Sequence, residues 1–102
     1  MTTSFKQTEV FPIIDRIIRL ACEDEADGSY ISRQRIADRL LQDSEGRIII
    51  EKARKSEPDH TSGWWARNMV DWFSAHFNDS SYRNQFERIR IDDTWAYKVT
   101  GP

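Results

Sequence analysis

The chain has 102 residues, of which 38% are hydrophobic, 12% aromatic and 31% charged, and its net charge at pH 7 is −2. This composition is too apolar and too aromatic for a disordered chain, and the length is that of one domain, so we expect residues 1–102 to fold as a single domain. A single cysteine excludes an internal disulfide, and the lack of a signal peptide or of an apolar run long enough to span a bilayer predicts a cytoplasmic protein with no membrane role.

The first predicted element is a helix over residues 12–22. Pro12 suits the first turn of a helix, where its missing N–H costs nothing. An apolar stripe follows at the i, i+3, i+4, i+7 spacing of a helix, formed by Ile14, Ile17, Ile18 and Ala21. We expect the polar residues 1–7 to be flexible, and the acidic run before Gly28 to end the helix.

A short extended segment, Tyr30 and Ile31, precedes the second predicted helix. Ser32 is a good N-cap, and Ile31 and Ile36 are spaced to form a hydrophobic staple across it. The buried stripe of this helix is predicted to consist of Ile36, Ala37, Leu40 and Leu41. Residues 42–60 then form an insertion, in which Gly46 separates the second helix from a weaker helical piece over residues 47–56.

The longest helical pattern runs over residues 62–77, after Pro58 ends the preceding piece. Its inward face is predicted to consist of Ala66, Met69, Val70, Phe73 and Phe77, widened by Trp65, Trp72 and His76. Its outward face is predicted to consist of Trp64, Arg67, Asn68, Asp71 and Ala75.

Two segments of alternating apolar and polar residues, 86–91 and 95–99, are joined by a turn at 92–94 and predict a β-hairpin. Trp95, Tyr97 and Val99 share one face, which we expect to lie on the helices. The helical stripes and this face then predict one buried cluster of Ile14, Ile17, Ile18, Ile36, Leu40, Met69, Val70, Trp72, Phe73, Trp95 and Tyr97.

Charge is unevenly distributed along the chain. Acidic residues outnumber basic ones before Gly28, whereas residues 29–55 contain seven basic and four acidic side chains. The basic middle favours binding to nucleic acid, and the net acidity of the whole chain favours a protein partner.

The order helix, short strand, helix, helix, hairpin is that of a winged helix-turn-helix. Residues 63–74, followed by Phe86-Glu87-Arg88 and Trp95-Ala96-Tyr97, resemble winged-helix domains found beside nuclease domains in restriction and mobile-element proteins. The resemblance implies an α+β, mainly helical winged-helix fold with a C-terminal two-stranded wing. The sequence pattern adds an inserted helix between helices 2 and 3, where a tight helix-turn-helix has only a short turn. The resemblance also implies that the 62–77 helix recognises DNA and that the 86–99 hairpin is the wing.

The outward face of the 62–77 helix supplies the predicted DNA-contacting residues. Arg67 and Asn68 suit the edges of guanine and adenine in the major groove, and Ser62 and Trp64 lie on the same helix. Three roles are open for Trp64: stacking on a sugar or base, anchoring a protein partner, or packing against the inserted segment around residues 48–49. Phosphate contacts are expected from Arg33, Gln34, Arg39, Arg88, Arg90 and Lys98.

The leading hypothesis is therefore a module that binds double-stranded DNA, as a transcriptional regulator or as the targeting domain of a restriction or mobile-element system. The alternative is a winged helix that binds a protein partner or forms a homodimer without binding nucleic acid. An enzyme is the least favoured hypothesis, because Cys22, His60 and His76 lack the spacing of zinc ligands. The pair Asp92-Asp93 suits a hairpin turn better than a magnesium site, and we expect neither a metal nor a cofactor.

Overall fold

The computed structural model describes residues 7–24 and 30–100. Over these residues the chain forms four α-helices followed by an antiparallel pair of strands, which confirms the predicted α+β, mainly helical class. The helices are α1 (Gln7–Asp24), α2 (Arg33–Gln42), α3 (Ser44–Ser56) and α4 (Ser62–Ala75). Two short 3-10 turns, Phe77–Asp79 and Ser81–Asn84, lead into strands β1 (Phe86–Ile91) and β2 (Thr94–Val99).

Helix α1 begins earlier than the sequence pattern predicts, so the placement of Pro12 in a first turn is wrong and Pro12 lies inside the helix. The reason is a further apolar turn before it, in which Val10 and Phe11 are buried in the core. A proline inside a helix removes one backbone hydrogen bond, and the burial of this turn offsets that cost. Of the segment predicted to be flexible, Gln7 is helical, and residues 1–6, like residues 25–29, lie outside the described residues.

The junction between α2 and α3 lies at Asp43, so the prediction that Gly46 separates two helices is wrong. The backbone N–H of Asp43 donates to the Arg39 carbonyl at the end of α2, and its carboxylate accepts from the backbone N–H of Gly46, 2.9 Å away, in the first turn of α3. Arg16 of α1 also donates two hydrogen bonds to this carboxylate, at 2.7 and 3.0 Å. Gly46 is buried inside α3, where the backbone carbonyl of Leu40 comes so close that a Cβ would clash with it, so this position requires glycine.

The start of α2 follows the sequence prediction. The Ser32 hydroxyl accepts a hydrogen bond from the Arg35 backbone N–H at 3.2 Å, and both residues of the predicted staple, Ile31 and Ile36, are fully buried. Leu41 is only half-buried, so the inward stripe of α2 is narrower than predicted. The weaker helical piece after it is a regular helix, α3, which buries Ile50 and Ala53.

The core gathers side chains from all four helices and both strands. Nine residues of the predicted cluster are buried, whereas Trp72 and Trp95 are only half-buried at its edge, where that prediction is wrong. Aromatic rings meet at its centre, with the Phe73 centroid 5.2 Å from that of Phe11 and 5.5 Å from that of Tyr97. Helix α4 ends at Ala75, before the predicted boundary, and Phe77 is still buried from the following 3-10 turn.

The predicted hairpin forms, except that Thr94, expected in the turn, is the first residue of β2. Its register pairs Phe86 with Val99 and Ile91 with Thr94. Asp92 and Asp93 form its two-residue turn, both with positive φ, 50° and 64°, which gives the backbone twist that joins two antiparallel strands tightly. The extended segment before α2 pairs with β2 through two hydrogen bonds between Ile31 and Tyr97, of 2.6 and 2.9 Å. The spatial order is therefore Ile31, β2, β1.

We expect Phe73→Ala to lower the free energy of unfolding by about 3–5 kcal/mol, because it empties the centre of the aromatic cluster. Urea denaturation measures this change. Ile89→Ala is the matched control, since Ile89 is a large apolar side chain on the exposed outer face of the hairpin. A loss below about 1 kcal/mol for Phe73→Ala would show that this cluster does not hold the helices together.

A second prediction concerns acid stability. The hydrogen bonds from Arg16, and then that from the Gly46 backbone N–H, hold the pKa of Asp43 below its ordinary value, although partial burial opposes this effect. A carboxylate whose pKa is lowered by folding stabilises the protein above its unfolded pKa and loses that contribution as the pH falls through its folded pKa. Asp43→Asn is therefore expected to cost about 0.5–2 kcal/mol at pH 7 and to make the decline of stability below about pH 4 shallower.

Urea denaturation at a series of pH values from 7 down to the pH at which the protein unfolds measures this change in the pH dependence of stability. Asp38→Asn is the control, because Asp38 is an exposed carboxylate on α2 whose hydrogen bond from Gln34 can also be accepted by asparagine. Equal acid profiles for the wild type and Asp43→Asn would contradict the prediction.

Candidate nucleic-acid interface

Helix α4 has one face in the core and one facing outward. Thr61 caps it, its hydroxyl accepting a hydrogen bond from the Trp64 backbone N–H at 3.1 Å. The inward face buries Trp65, Ala66, Met69, Val70 and Phe73. On the other side Trp64, Arg67 and Asn68 are half-buried and Asp71 is exposed, so the predicted outward residues lie on the surface side of the helix.

The indole of Trp64 stacks on the imidazole of His60. Their ring centroids are 3.6 Å apart and the planes are 8° from parallel. Trp65 meets Trp64 edge-on at 5.0 Å and so connects the stack to the core. His60 is not among the residues predicted for this site, although its position just before the cap of α4 could have suggested it.

Arg67, the predicted base-reading residue, folds back toward the start of α4. Its Nη1 atom lies 3.2 Å from the point at which a Cβ on Gly63 would stand. Gly63 therefore leaves room for the guanidinium beside the N-terminal turn. Asn68 lies on the same side of the helix and is half-exposed.

The Arg33 side chain, predicted to contact phosphate, forms an ion pair with Asp71 of α4. Its Nε and Nη2 atoms donate to the two carboxylate oxygens at 2.6 and 2.7 Å. The hydrogen bonding to Asp71 raises the pKa of Arg33, against a smaller opposing effect of burial. Asp71 was predicted to face outward but not to belong to the site, because sequence spacing does not show which side chains of α2 and α4 meet.

A groove of about 480 Å³ lies between α4 and the hairpin. Its helix side is formed by Arg33, Asp71, Ser74 and Ala75. Its hairpin side is formed by Arg90, Asp93, Thr94 and Trp95. The fold thus brings Arg33 and Arg90, two of the predicted phosphate contacts, to one groove.

Arg88 and Arg90 share a strand face but differ in surroundings. The guanidinium of Arg88 lies between two rings, 3.9 Å from the centroid of Trp95 and 4.6 Å from that of Phe77. It also donates a hydrogen bond to the Ser74 carbonyl at 3.0 Å. Arg90 is exposed and lies farther from Trp95, at 5.1 Å. Phosphate contact by either residue stays a prediction, and Arg90 is the more accessible of the two.

The other predicted contact residues have partners in different places. Arg39 donates to Asp24 at 2.8 Å, and Gln34 to Asp38 at 2.8 Å. Lys98 lies on the hairpin face opposite to Arg88 and Arg90, with its ammonium 5.6 Å from the Tyr30 ring centroid. Ser62 accepts a hydrogen bond from Arg54 of α3 at 3.3 Å. The structure does not bring Lys98 to the groove beside α4.

No protein family, curated protein or solved structure matches this chain. Among residues 7–24 and 30–100, no three His, Cys, Asp or Glu side chains lie close enough together to hold a metal ion. None of the helices in the same part of the chain has the length and apolarity needed to cross a bilayer.

The difference between the two strand arginines gives a stability prediction. We expect Arg88→Ala to cost about 1–2 kcal/mol, because it removes the packing between two rings and the hydrogen bond to the Ser74 carbonyl. Arg90→Ala is the matched control, two residues along the same strand face, and we expect a change within about 0.5 kcal/mol. Thermal or urea denaturation compares them, and equal losses would contradict a structural role for Arg88.

Proposed function

We propose that this chain is a winged-helix module that binds double-stranded DNA, with α4 in the major groove and the β1–β2 hairpin as the wing. It would serve as a transcriptional regulator or as the targeting domain of a restriction or mobile-element system. The observation that supports this most directly is the pairing of Ile31 with Tyr97 of β2. A short strand between the first two helices belongs to the winged-helix element order, and its pairing with β2 holds the hairpin beside the helices.

The insertion of α3 is compatible with this arrangement. Helix α2 packs directly on α4, and Arg33 pairs with Asp71, although α3 comes between the two helices in sequence. The turn at Asp43 and the hydrogen bond from Arg54 to Ser62 hold α3 to one side of this pair. The recognition helix and its supporting helix can therefore keep their contact.

The chemistry of the α4 surface also supports DNA binding. Arg67 and Asn68 carry the donor and acceptor groups that recognise guanine and adenine edges in the major groove. Asp71 would repel phosphates if it were unpaired, but Arg33 neutralises it through two short hydrogen bonds. Arg90 supplies an exposed positive charge on the wing side of the groove.

The test is to select duplexes from a randomised pool and to measure their affinity by fluorescence anisotropy over a range of salt concentrations. We expect Arg67→Ala to weaken the selected duplex by about 1–3 kcal/mol and to relax its preference at one base pair. We expect Arg90→Ala to weaken all duplexes alike and to lower the salt slope by about one.

Arg47→Ala is the control, since Arg47 is an exposed cation on α3 that does not line the groove beside α4. If no duplex binds even at low salt, the proposal is overturned. If duplexes bind but Arg67→Ala and Arg47→Ala behave alike, α4 does not recognise sequence.

A further inference from the structure

A second groove, of about 520 Å³, lies between α1 and α3 and shares no residue with the groove beside α4. Its apolar centre contains Ile48, whose side chain is 69% exposed, the most exposed of the large apolar side chains among the described residues. Pro12 is also exposed, and Ile13 and Ile49 lie deeper in the groove. The apolar residues of this groove are surrounded by charged ones, which is the pattern of a surface that binds a protein.

The two walls of the groove have the same sequence pattern. Residues 9–16 of α1 read Glu-x-x-Pro-Ile-x-x-Arg, and residues 45–52 of α3 read Glu-x-x-Ile-Ile-x-x-Lys. In both helices the named residues are the ones that line the groove. Each wall therefore has an acid at its N-terminal end, two apolar residues in the middle and a base at its C-terminal end.

The two walls run in opposite directions. Lys52 at the end of one pattern lies 3.8 Å from Glu9 at the start of the other, and Arg16 lies 3.5 Å from Glu45. Each end of the groove thus has one acid and one base beside an apolar centre. The surface has an approximate twofold symmetry of its own.

We propose that this groove is a homodimer interface, in which α1 and α3 of two copies pack across a twofold axis as a four-helix bundle. A twofold axis perpendicular to the helices places Glu45 opposite Lys52 of the second copy, and Glu9 opposite its Arg16. An axis parallel to the helices places Glu9 opposite Lys52 of the second copy, and Arg16 opposite its Glu45. In both arrangements every rim acid meets a base, and the isoleucines meet each other.

This charge pattern favours a second copy over a partner whose surface carries one sign of charge. The rim has two acids and two bases, so a uniformly acidic or basic partner would place like charges against half of them. A second copy satisfies all four. The proposal does not rest on DNA binding, because the two grooves have no lining residue in common.

The experiment is sedimentation equilibrium of the full chain without DNA. We expect a dimer of twice the 12.1 kDa chain mass. Ile48→Glu is expected to give a monomer with an unchanged melting temperature by circular dichroism, because the side chain is exposed in the single chain. Leu20→Glu is the matched control, since Leu20 is an exposed apolar residue of α1 outside this groove, and it should remain dimeric.

Charge reversal identifies the pairing. We expect Lys52→Glu alone to weaken the dimer at least about tenfold. Adding Glu45→Lys restores association if the axis is perpendicular to the helices, and adding Glu9→Lys restores it if the axis is parallel to them. The proposal is overturned if the wild type is monomeric at millimolar concentration, or if Ile48→Glu leaves the dimer unchanged. It is also overturned if neither second substitution restores the association lost with Lys52→Glu.

Discussion

The path of the chain depends on one carboxylate, that of Asp43. Helices α2 and α3 meet there without a loop. The backbone N–H of Asp43 donates to a carbonyl at the end of α2, and its carboxylate accepts from a backbone N–H in the first turn of α3. Arg16 of α1 donates to the same carboxylate. The direction in which α3 leaves α2 follows from this junction. From this junction α3 runs antiparallel to α1 and forms one groove with it. It ends close to the start of α4, where Arg54 donates a hydrogen bond to Ser62.

Many of the arginines of this chain serve its internal structure. Arg16, Arg33, Arg39 and Arg88 each pair with a carboxylate or a carbonyl of another segment, and Arg88 also packs between two rings. A planar guanidinium suits such sites, since it donates in a fork and stacks on aromatic faces. A basic stretch of sequence therefore overstates the positive charge that the folded surface offers to a phosphate backbone.

Local patterns in the sequence were sufficient to predict the helices, the cap at Ser32, the staple of Ile31 and Ile36, and the hairpin with its turn. These features depend on neighbours within a few residues. The start of α1 escaped prediction because Pro12 is a strong local signal that tertiary burial of Val10 and Phe11 outweighs. The roles of Asp43, Asp71 and His60 were not predicted either. Each role depends on a contact with a residue of another segment, and the periodicity of a sequence does not show such contacts.

The two hydrogen bonds between Ile31 and Tyr97 also bear on the order in which the chain folds. The hairpin is local and can form early, but alone it is marginally stable, and the segment that pairs with β2 at Ile31 lies before three of the helices. Closing the long loop between Ile31 and Tyr97 costs chain entropy, and packing of the intervening helices lowers that cost by bringing the two segments close together. We expect this backbone pairing to form late in folding, after the helices have packed on one another.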